Sequence, residues 1–160
     1  MEGVGHRING RVNSLSSEEV REYYGEMCRS RFSGWGRSLT SSLEVYEGEG
    51  VNGLAEGWGR WVYRDGSVYT GEFRQGLRHG TGSMLYLGHD DDRYDGEWEN
   101  DLPCGFGVRL DPSDTEYRGY MLRGKKHGFG VMTHYATDEG GNRTVVRTEK
   151  GEWKNDILSM

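Results

Sequence analysis

The chain is poor in hydrophobic residues and cysteine, and it has no long apolar run. Hydrophobic residues make up 33% of its 160 positions. Globular chains usually have about 45–50% with glycine counted in; here 27 glycines supply much of that fraction without a side chain to bury, so a single thick core is not expected. No segment approaches the roughly 18–20 apolar residues that span a bilayer, and no apolar N-terminal stretch resembles a signal peptide. Cys28 and Cys104 form no CxxC pair. We therefore expect reduced thiols in an intracellular protein.

An excess of basic charge is also missing. The chain has 26 acidic and 20 basic residues, a net charge of −6. This balance disfavours nucleic acid and anionic lipid as partners, because both require concentrated basic surfaces. The densest basic segment, residues 123–127, is interpreted as an exposed hairpin tip. The acidic residues 90–92 lack the glycine and distal glutamate of a calcium loop and are interpreted as an exposed loop.

Glycine and aromatic residues, by contrast, are abundant and regularly spaced. The chain has 27 glycines, 10 tyrosines and 5 tryptophans. A tyrosine, a glycine two residues later and a Gly-x-Gly pair that begins eleven residues after the tyrosine recur five times. A sixth copy is truncated and has Glu149 in place of the tyrosine. A fixed period of this length indicates a repeat architecture. The repeat positions are Tyr23, Gly25, Gly34, Gly36, Tyr46, Gly48, Gly57, Gly59, Tyr69, Gly71, Phe73, Gly80, Gly82, Tyr94, Gly96, Trp98, Gly105, Gly107, Tyr117, Gly119, Gly128, Gly130, Gly151 and Trp153.

Each copy reads as a β-hairpin. Tyr69, Gly71 and Phe73 share one face of an extended strand, while the residues between them point to the other face. Residues 76–79 are predicted to form the turn, and the Gly-x-Gly pair begins the returning strand. An aromatic ring can lie over a glycine of the neighbouring strand, where a Cβ would push it away. Bulky residues at Gly82, Gly107 or Gly130 should therefore disturb packing.

The pattern Y-x-G-x-[WF]-x-x-G-x-x-H-G-x-G, fullest from Tyr69 to Tyr86, resembles the MORN (membrane occupation and recognition nexus) repeat. The resemblance covers about residues 23–156 and implies an all-β, elongated, single-layer array of stacked hairpins with five to six repeats. Departures include Gly50, Met27 and Met121, where the pattern has a strand aromatic. Residues 1–22 are predicted to be an N-terminal extension or degenerate repeat, and residues 23–160 the array. An enlarged hairpin is predicted at about 131–148.

Three other patterns have alternative interpretations. Residues 48–53 spell GxGxxG, but a hairpin strand follows where a dinucleotide site needs a helix. His79 and His127 precede Gly-x-Gly in two copies, which predicts a separation of about 20 Å and structural roles in turns. Ser16 and Glu19 fit a helical capping box, so residues 16–22 could form either one helical turn or the approach to the first strand.

No pattern combines a nucleophile, a base and an orienting group, so we predict no enzyme, catalytic residue, cofactor or metal site. By resemblance, we expect a structural scaffold in a large cytoskeletal assembly, specifically a ciliary or flagellar axoneme, as in radial spokes. Its partners would be other proteins of that assembly. Two alternatives stay open. The chain could act in trans as a regulatory module for an enzyme, or bind phospholipid as the family name suggests.

The C-terminus suggests a partner-binding edge. The truncated last copy ends soon after Trp153, Ile157 and Leu158, so its sheet edge is expected to have no partner strand from this chain. Unpaired strand edges bind added strands. We therefore predict a homodimer or a bound partner at these three residues.

Overall fold

The computed structural model describes residues 20–29, 31–88 and 92–159. Every regular element in this part of the chain is a β-strand. The strands are β1 (Val20–Cys28), β2 (Arg31–Thr40), β3 (Val45–Val51), β4 (Leu54–Val62), β5 (Val68–Arg74), β6 (Leu77–Leu85), β7 (Arg93–Glu99), β8 (Leu102–Asp111), β9 (Thr115–Leu122), β10 (Lys125–Thr137), β11 (Arg143–Lys154) and β12 (Ile157–Ser159). The prediction of an all-β array is confirmed.

The strands are antiparallel, and the neighbours of each strand in the sheet are its neighbours in the chain. Contacts divide the chain into two compact units, residues 1–80 and 81–160. The first unit contains β1 to β5 and the start of β6, and the second contains the rest of β6 through β12. Of the segment 16–22, residues 16–19 lie outside the described residues. Glu22 lies in β1 and is therefore not helical.

The hairpin turns are shorter than the sequence suggested. Gln75 and Gly76 have φ values of 52° and 82°, and Asn52 and Gly53 have 54° and 88°. Left-handed backbone at both central residues is the type I′ turn, whose twist matches that of paired strands. The turn therefore consists of residues 75 and 76, and the predicted turn at 76–79 was wrong. Residues 77–79 already belong to β6.

The strand pairing shifts within the hairpins β1–β2, β3–β4, β7–β8 and β9–β10. In β3–β4, Gly48 pairs with Gly59 but Gly50 pairs with Ala55, so β4 has two extra residues here. The hydroxyl of Tyr46 donates to the carbonyl of Glu49 at this shift, at 2.5 Å. The same bond joins each repeat tyrosine to the residue three positions on. Tyrosine thus provides both an apolar ring and a donor for a carbonyl at the irregularity.

The two glycines of each Gly-x-Gly pair are needed for different reasons. The first, represented by Gly57 at φ 67°, adopts left-handed backbone inside the bulge. The second, represented by Gly59, lies against the ring of Tyr46, where a Cβ would overlap ring atoms. Gly107 and Gly130 have the same relation to Tyr94 and Tyr117. Packing of the tyrosine ring therefore requires the second glycine, and the bulge requires the first.

β10 and β11 form a hairpin longer than the others. Their pairing runs from Gly128↔Trp153 to Thr137↔Arg143, with a register shift after His134 that leaves Val146 as an extra residue on β11. At the tip, the carboxylate of Asp138 accepts hydrogen bonds from the backbone N–H groups of Gly140 and Asn142. Hydrogen bonds from the side-chain amide of Asn142, and after it from these backbone N–H groups, lower the pKa of Asp138 below its usual value. This is the enlarged hairpin predicted at about 131–148.

Candidate interaction surfaces

One face of each unit contains the repeat tyrosines, and it is buried. Tyr23, Tyr46 and Tyr69 in the first unit and Tyr94 and Tyr117 in the second are at most 1% exposed. Burial is the main cause that raises the pKa of Tyr23, Tyr46 and Tyr94 above the ordinary value, and it raises that of Tyr117 to about 12. These phenols are neutral packing groups, and their hydroxyls are already used in hydrogen bonds to backbone carbonyls.

The opposite face presents exposed aromatic side chains. They come from the middle position of Gly-x-Gly, which points away from the tyrosines. The aromatic residues at this position are Trp35, Trp58, Phe106 and Phe129. Each of the four side chains is at least half exposed, and Phe129 is 72% exposed. Because the tyrosine rings are buried while these four rings are exposed, this face offers apolar surface to a partner.

In the first unit, a glutamate on the next strand lies beside each of the two tryptophans. Trp35 pairs across the strands with Glu49, and Trp58 pairs with Glu72. The carboxylate of Glu49 lies beside Gly57, the positive-φ glycine of the next strand. The carboxylates therefore interrupt the apolar surface between the exposed rings.

In the second unit, the glutamate position of one copy holds a tyrosine, so an aromatic side chain replaces the carboxylate between two exposed rings. Tyr120 pairs with Phe106, and their ring centroids are 5.8 Å apart in an edge-on arrangement. Gly119 pairs with Gly130, which brings Tyr120 next to Phe129 on β10. We call Phe106, Tyr120 and Phe129 the aromatic row. They are 50%, 53% and 72% exposed, respectively.

A carboxylate lies at each end of the aromatic row. On the β7 side, Glu97 accepts a hydrogen bond from the backbone N–H of Phe106 at 2.9 Å. On the β11 side, Glu152 pairs directly with Phe129 and is exposed. Five consecutive strands, β7 to β11, thus each contribute one residue to a line of acid, three aromatics and acid.

A family model, the MORN repeat, matches four consecutive segments of the chain, residues 46–68, 69–86, 94–116 and 117–135. Together these segments make up more than half of the sequence. The chain belongs to the MORN repeat family. A search among curated proteins finds no significant match. MORN repeats are interaction modules for proteins or membrane lipids, and that is the level at which the family defines this chain.

The hairpin before the matched MORN segments has the same geometry. The hydroxyl of Tyr23 donates to the carbonyl of Glu26 at 2.7 Å, and its ring lies against Gly36. The pairing of β1 with β2 shifts between Gly25 and Met27, as in the matched copies. Residues 23–36 are therefore a repeat by structure, although the family model begins at residue 46.

The C-terminal residues predicted as a partner edge lie in different environments. Trp153 is buried, with its ring centroid 5.5 Å from that of Tyr117. Contrary to the expectation of an edge without a partner strand, β12 pairs with β11, and Leu158 is opposite Trp153. Ile157 is 71% exposed. Only Ile157 of the three is therefore available as a large exposed contact, and partner binding there stays a prediction.

The histidines and cysteines do not assemble a site in the described part of the chain. His79 lies in β6 and His127 in β10, so the prediction that they are turn residues was wrong. The guanidinium of Arg74 lies 3.5 Å from His79 Nε2. Cys28 and Cys104 are free thiols. Among the described residues, no three His, Cys, Asp or Glu side chains are grouped to hold a metal.

The GxGxxG residues 48–53 lie on β3 and its turn, within a hairpin and not before a helix. The described residues also contain no helix long and apolar enough to cross a membrane.

Sequence reasoning missed the aromatic row. The signal was present, since the middle residue of Gly-x-Gly is aromatic in four of the five copies. That position lies on the strand face opposite the tyrosines, whereas the alternation that predicts the fold is carried by the tyrosine face. The change from glutamate to Tyr120 is visible only after the copies are superimposed.

Proposed function

We propose that this protein is a non-catalytic scaffold and protein-interaction subunit of a large cytoskeletal assembly, in the axoneme of a cilium or flagellum. The exposed aromatic row is the observation that carries the interaction role. Rings that are half exposed or more are costly to leave in water, and contiguous exposed apolar surface is typical of binding sites. Membership of the MORN repeat family supports the same role. The cytoskeletal and axonemal location is inferred from the resemblance to MORN scaffolds.

The charge around the row favours protein over lipid as the partner. Glu97 and Glu152 lie at its two ends, and the whole chain has a net charge of −6. Carboxylates repel anionic headgroups, whereas a basic or polar segment of a protein would be attracted to them. A regulatory role on an enzyme has no specific support from the geometry of the described residues.

The test is to tag the chain in its own cells, extract with non-ionic detergent and identify the proteins that remain with it. We expect retention in the insoluble skeleton with tubulin and axonemal components. A Tyr120→Glu variant, which restores the usual residue of the repeat, should be released in part. Tyr24→Glu, at an exposed tyrosine of the first unit, is the matched control and should be retained.

Two results would contradict the proposal. Release of the wild-type chain as a soluble complex with one enzyme would replace it with a regulatory role. Sedimentation of the purified chain with phosphatidylserine vesicles, lost at high salt, would replace it with lipid binding, because screening weakens surface electrostatics.

A further inference from the structure

We propose that the aromatic row binds an extended, proline-rich segment with a basic residue at each end. This inference rests on the proposed interaction role and names the chemistry of the partner. The row consists of Phe106, Tyr120 and Phe129, with Glu97 and Glu152 at its ends. Its length, its position on the sheet and its charge each favour such a ligand.

The position of the row on the sheet restricts the ligand's backbone. The rings stand on the face of the sheet, where backbone groups of β8, β9 and β10 are already used, by neighbouring strands or, at Phe106 and Tyr120, by the side chains of Glu97 and Tyr117. A segment lying there cannot form ladder hydrogen bonds, as an added edge strand would. A polyproline II helix suits this surface, because it has no internal hydrogen bonds and keeps its backbone solvated. Proline also lacks one donor, and its rigidity lowers the entropy cost of binding.

The spacing of the rings matches the period of that helix. Phe106 and Phe129 are separated by two strand spacings, about 10 Å at about 4.8 Å each. One turn of polyproline II, three residues at about 3.1 Å, covers about 9 Å. Two prolines three positions apart would then contact the outer rings, with Tyr120 between them. Its phenol can also donate a hydrogen bond to a ligand carbonyl.

The carboxylates define the ends of the ligand. Glu97 and Glu152 are four strand spacings apart, about 19 Å, which six residues of polyproline II also cover. Arginine or lysine at both ends of such a segment would therefore lie opposite a carboxylate. Arg118, two residues before Tyr120 on β9, is ion-paired with Glu116 and adds little repulsion. Lys150 and Lys154 lie two residues to either side of Glu152 on β11, so a basic ligand residue is attracted more strongly to the Glu97 end.

The other exposed aromatics do not form an equivalent site. Trp35 and Trp58 have Glu49 between them, so a proline-rich segment would cross a carboxylate at its centre. This difference supplies both a loss-of-function and a gain-of-function variant. Tyr120→Glu places a carboxylate in the row, and glutamate occupies the same position in the four earlier copies, so the fold should accept it. Glu49→Tyr makes the reverse change in the first unit.

The experiment uses the full chain and three synthetic ten-residue peptides. The first has a proline-rich core and arginine at both ends. In the second, glycine replaces proline, and in the third, glutamate replaces arginine. Calorimetry should give micromolar binding of the first peptide at one site, and at least tenfold weaker binding of the other two. Amide chemical shifts in NMR spectra should change along β8, β9 and β10.

The variants then test the location. Tyr120→Glu should weaken binding of the first peptide at least tenfold with an unchanged melting temperature, and Tyr24→Glu should have no effect. Glu49→Tyr should raise the stoichiometry from one to two. Equal binding of all three peptides, no binding, stronger binding of an amphipathic helical peptide, or full affinity in folded Tyr120→Glu would overturn the inference. If peptide binding fails but retention in the cytoskeleton persists, only this inference fails and the proposed function stands.

Discussion

The ring of Phe32 lies over Gly50 and occupies the space that a side chain at position 50 would need. Its centroid is 4.9 Å from that of Tyr23 and 6.0 Å from that of Tyr46. In the next pair of copies, the position of Phe32 is held by Ala55 and that of Gly50 by Phe73. One aromatic ring is thus kept in the core between adjacent tyrosines, but the strand that supplies it differs.

We expect Phe32→Ala to lower the free energy of unfolding by about 3–5 kcal/mol, because it removes a buried ring between two tyrosines. Gly50→Phe should also destabilise, since its side chain would overlap Phe32. The double variant should recover most of the loss, because it recreates the arrangement of Ala55 and Phe73. Thermal and denaturant unfolding of the four proteins gives the coupling directly.

Additive losses in the double variant would show that the two positions do not share one space. Trp35→Ala is a control for loss of a large aromatic on the same strand. Trp35 is 58% exposed, so its removal should change stability by less than about 1 kcal/mol.

The fold was predictable because its main determinants recur within each copy. Alternation around Tyr69 and Phe73 predicted strands, and the two small residues of Gly-x-Gly predicted close approach of a ring. Both features depend on residues near one another in the sequence. The separate role of the first glycine was not predicted, because positive φ arises from a two-residue bulge that the alternation pattern does not show.

The features missed from the sequence are relations between copies. Phe32 compensates for Gly50, but the sequence shows only a missing aromatic at position 50. Likewise, Tyr120 joins Phe106 and Phe129 only because their strands are neighbours in the sheet. Each case needs the cross-strand register, which depends on the bulge and on the two-residue turns.

Tyr117→Phe should destabilise the second unit by about 1–2 kcal/mol. Its hydroxyl donates to the carbonyl of Tyr120 at 2.9 Å, and the ring would remain without that donor. Tyr120→Phe is the matched control, because its own side chain is exposed and its carbonyl is unchanged. Chemical denaturation should separate the two variants, and equal stability would show that the hydroxyl of Tyr117 contributes nothing.

Stability should fall steeply in alkali. The pKa of Tyr117 is raised by burial from 10.0 to about 12, and the pKa values of Tyr23, Tyr46 and Tyr94 are also raised. A raised pKa means that the unfolded chain loses these protons first. The contribution of these buried phenols to the free energy of unfolding is therefore complete below about pH 10. It is lost as the pH rises through their pKa values in the folded chain. Absorbance at the phenolate band should rise together with unfolding; smooth ionisation of every tyrosine in a folded chain would contradict this.

Asp114→Asn should loosen the base of the enlarged hairpin. The Asp114 carboxylate accepts a hydrogen bond from the Thr137 hydroxyl at 3.0 Å and lies 3.4 Å from the Arg143 guanidinium. Asparagine tolerates the φ of 54° at this position and can still accept from Thr137, so mainly the ion pair is lost. Because such exposed pairs contribute about 0.2–1 kcal/mol, global stability should change little.

The measurement for Asp114→Asn is amide hydrogen exchange. Residues 135–137 and 143–145 should exchange several-fold faster, while the amides of β9 keep their protection. Arg118→Gln, which removes a different ion pair on β9, should leave the hairpin amides unchanged. Unchanged exchange in Asp114→Asn would mean that the backbone hydrogen bond from Tyr135 to the Asp114 carbonyl, at 2.8 Å, is sufficient to hold the hairpin.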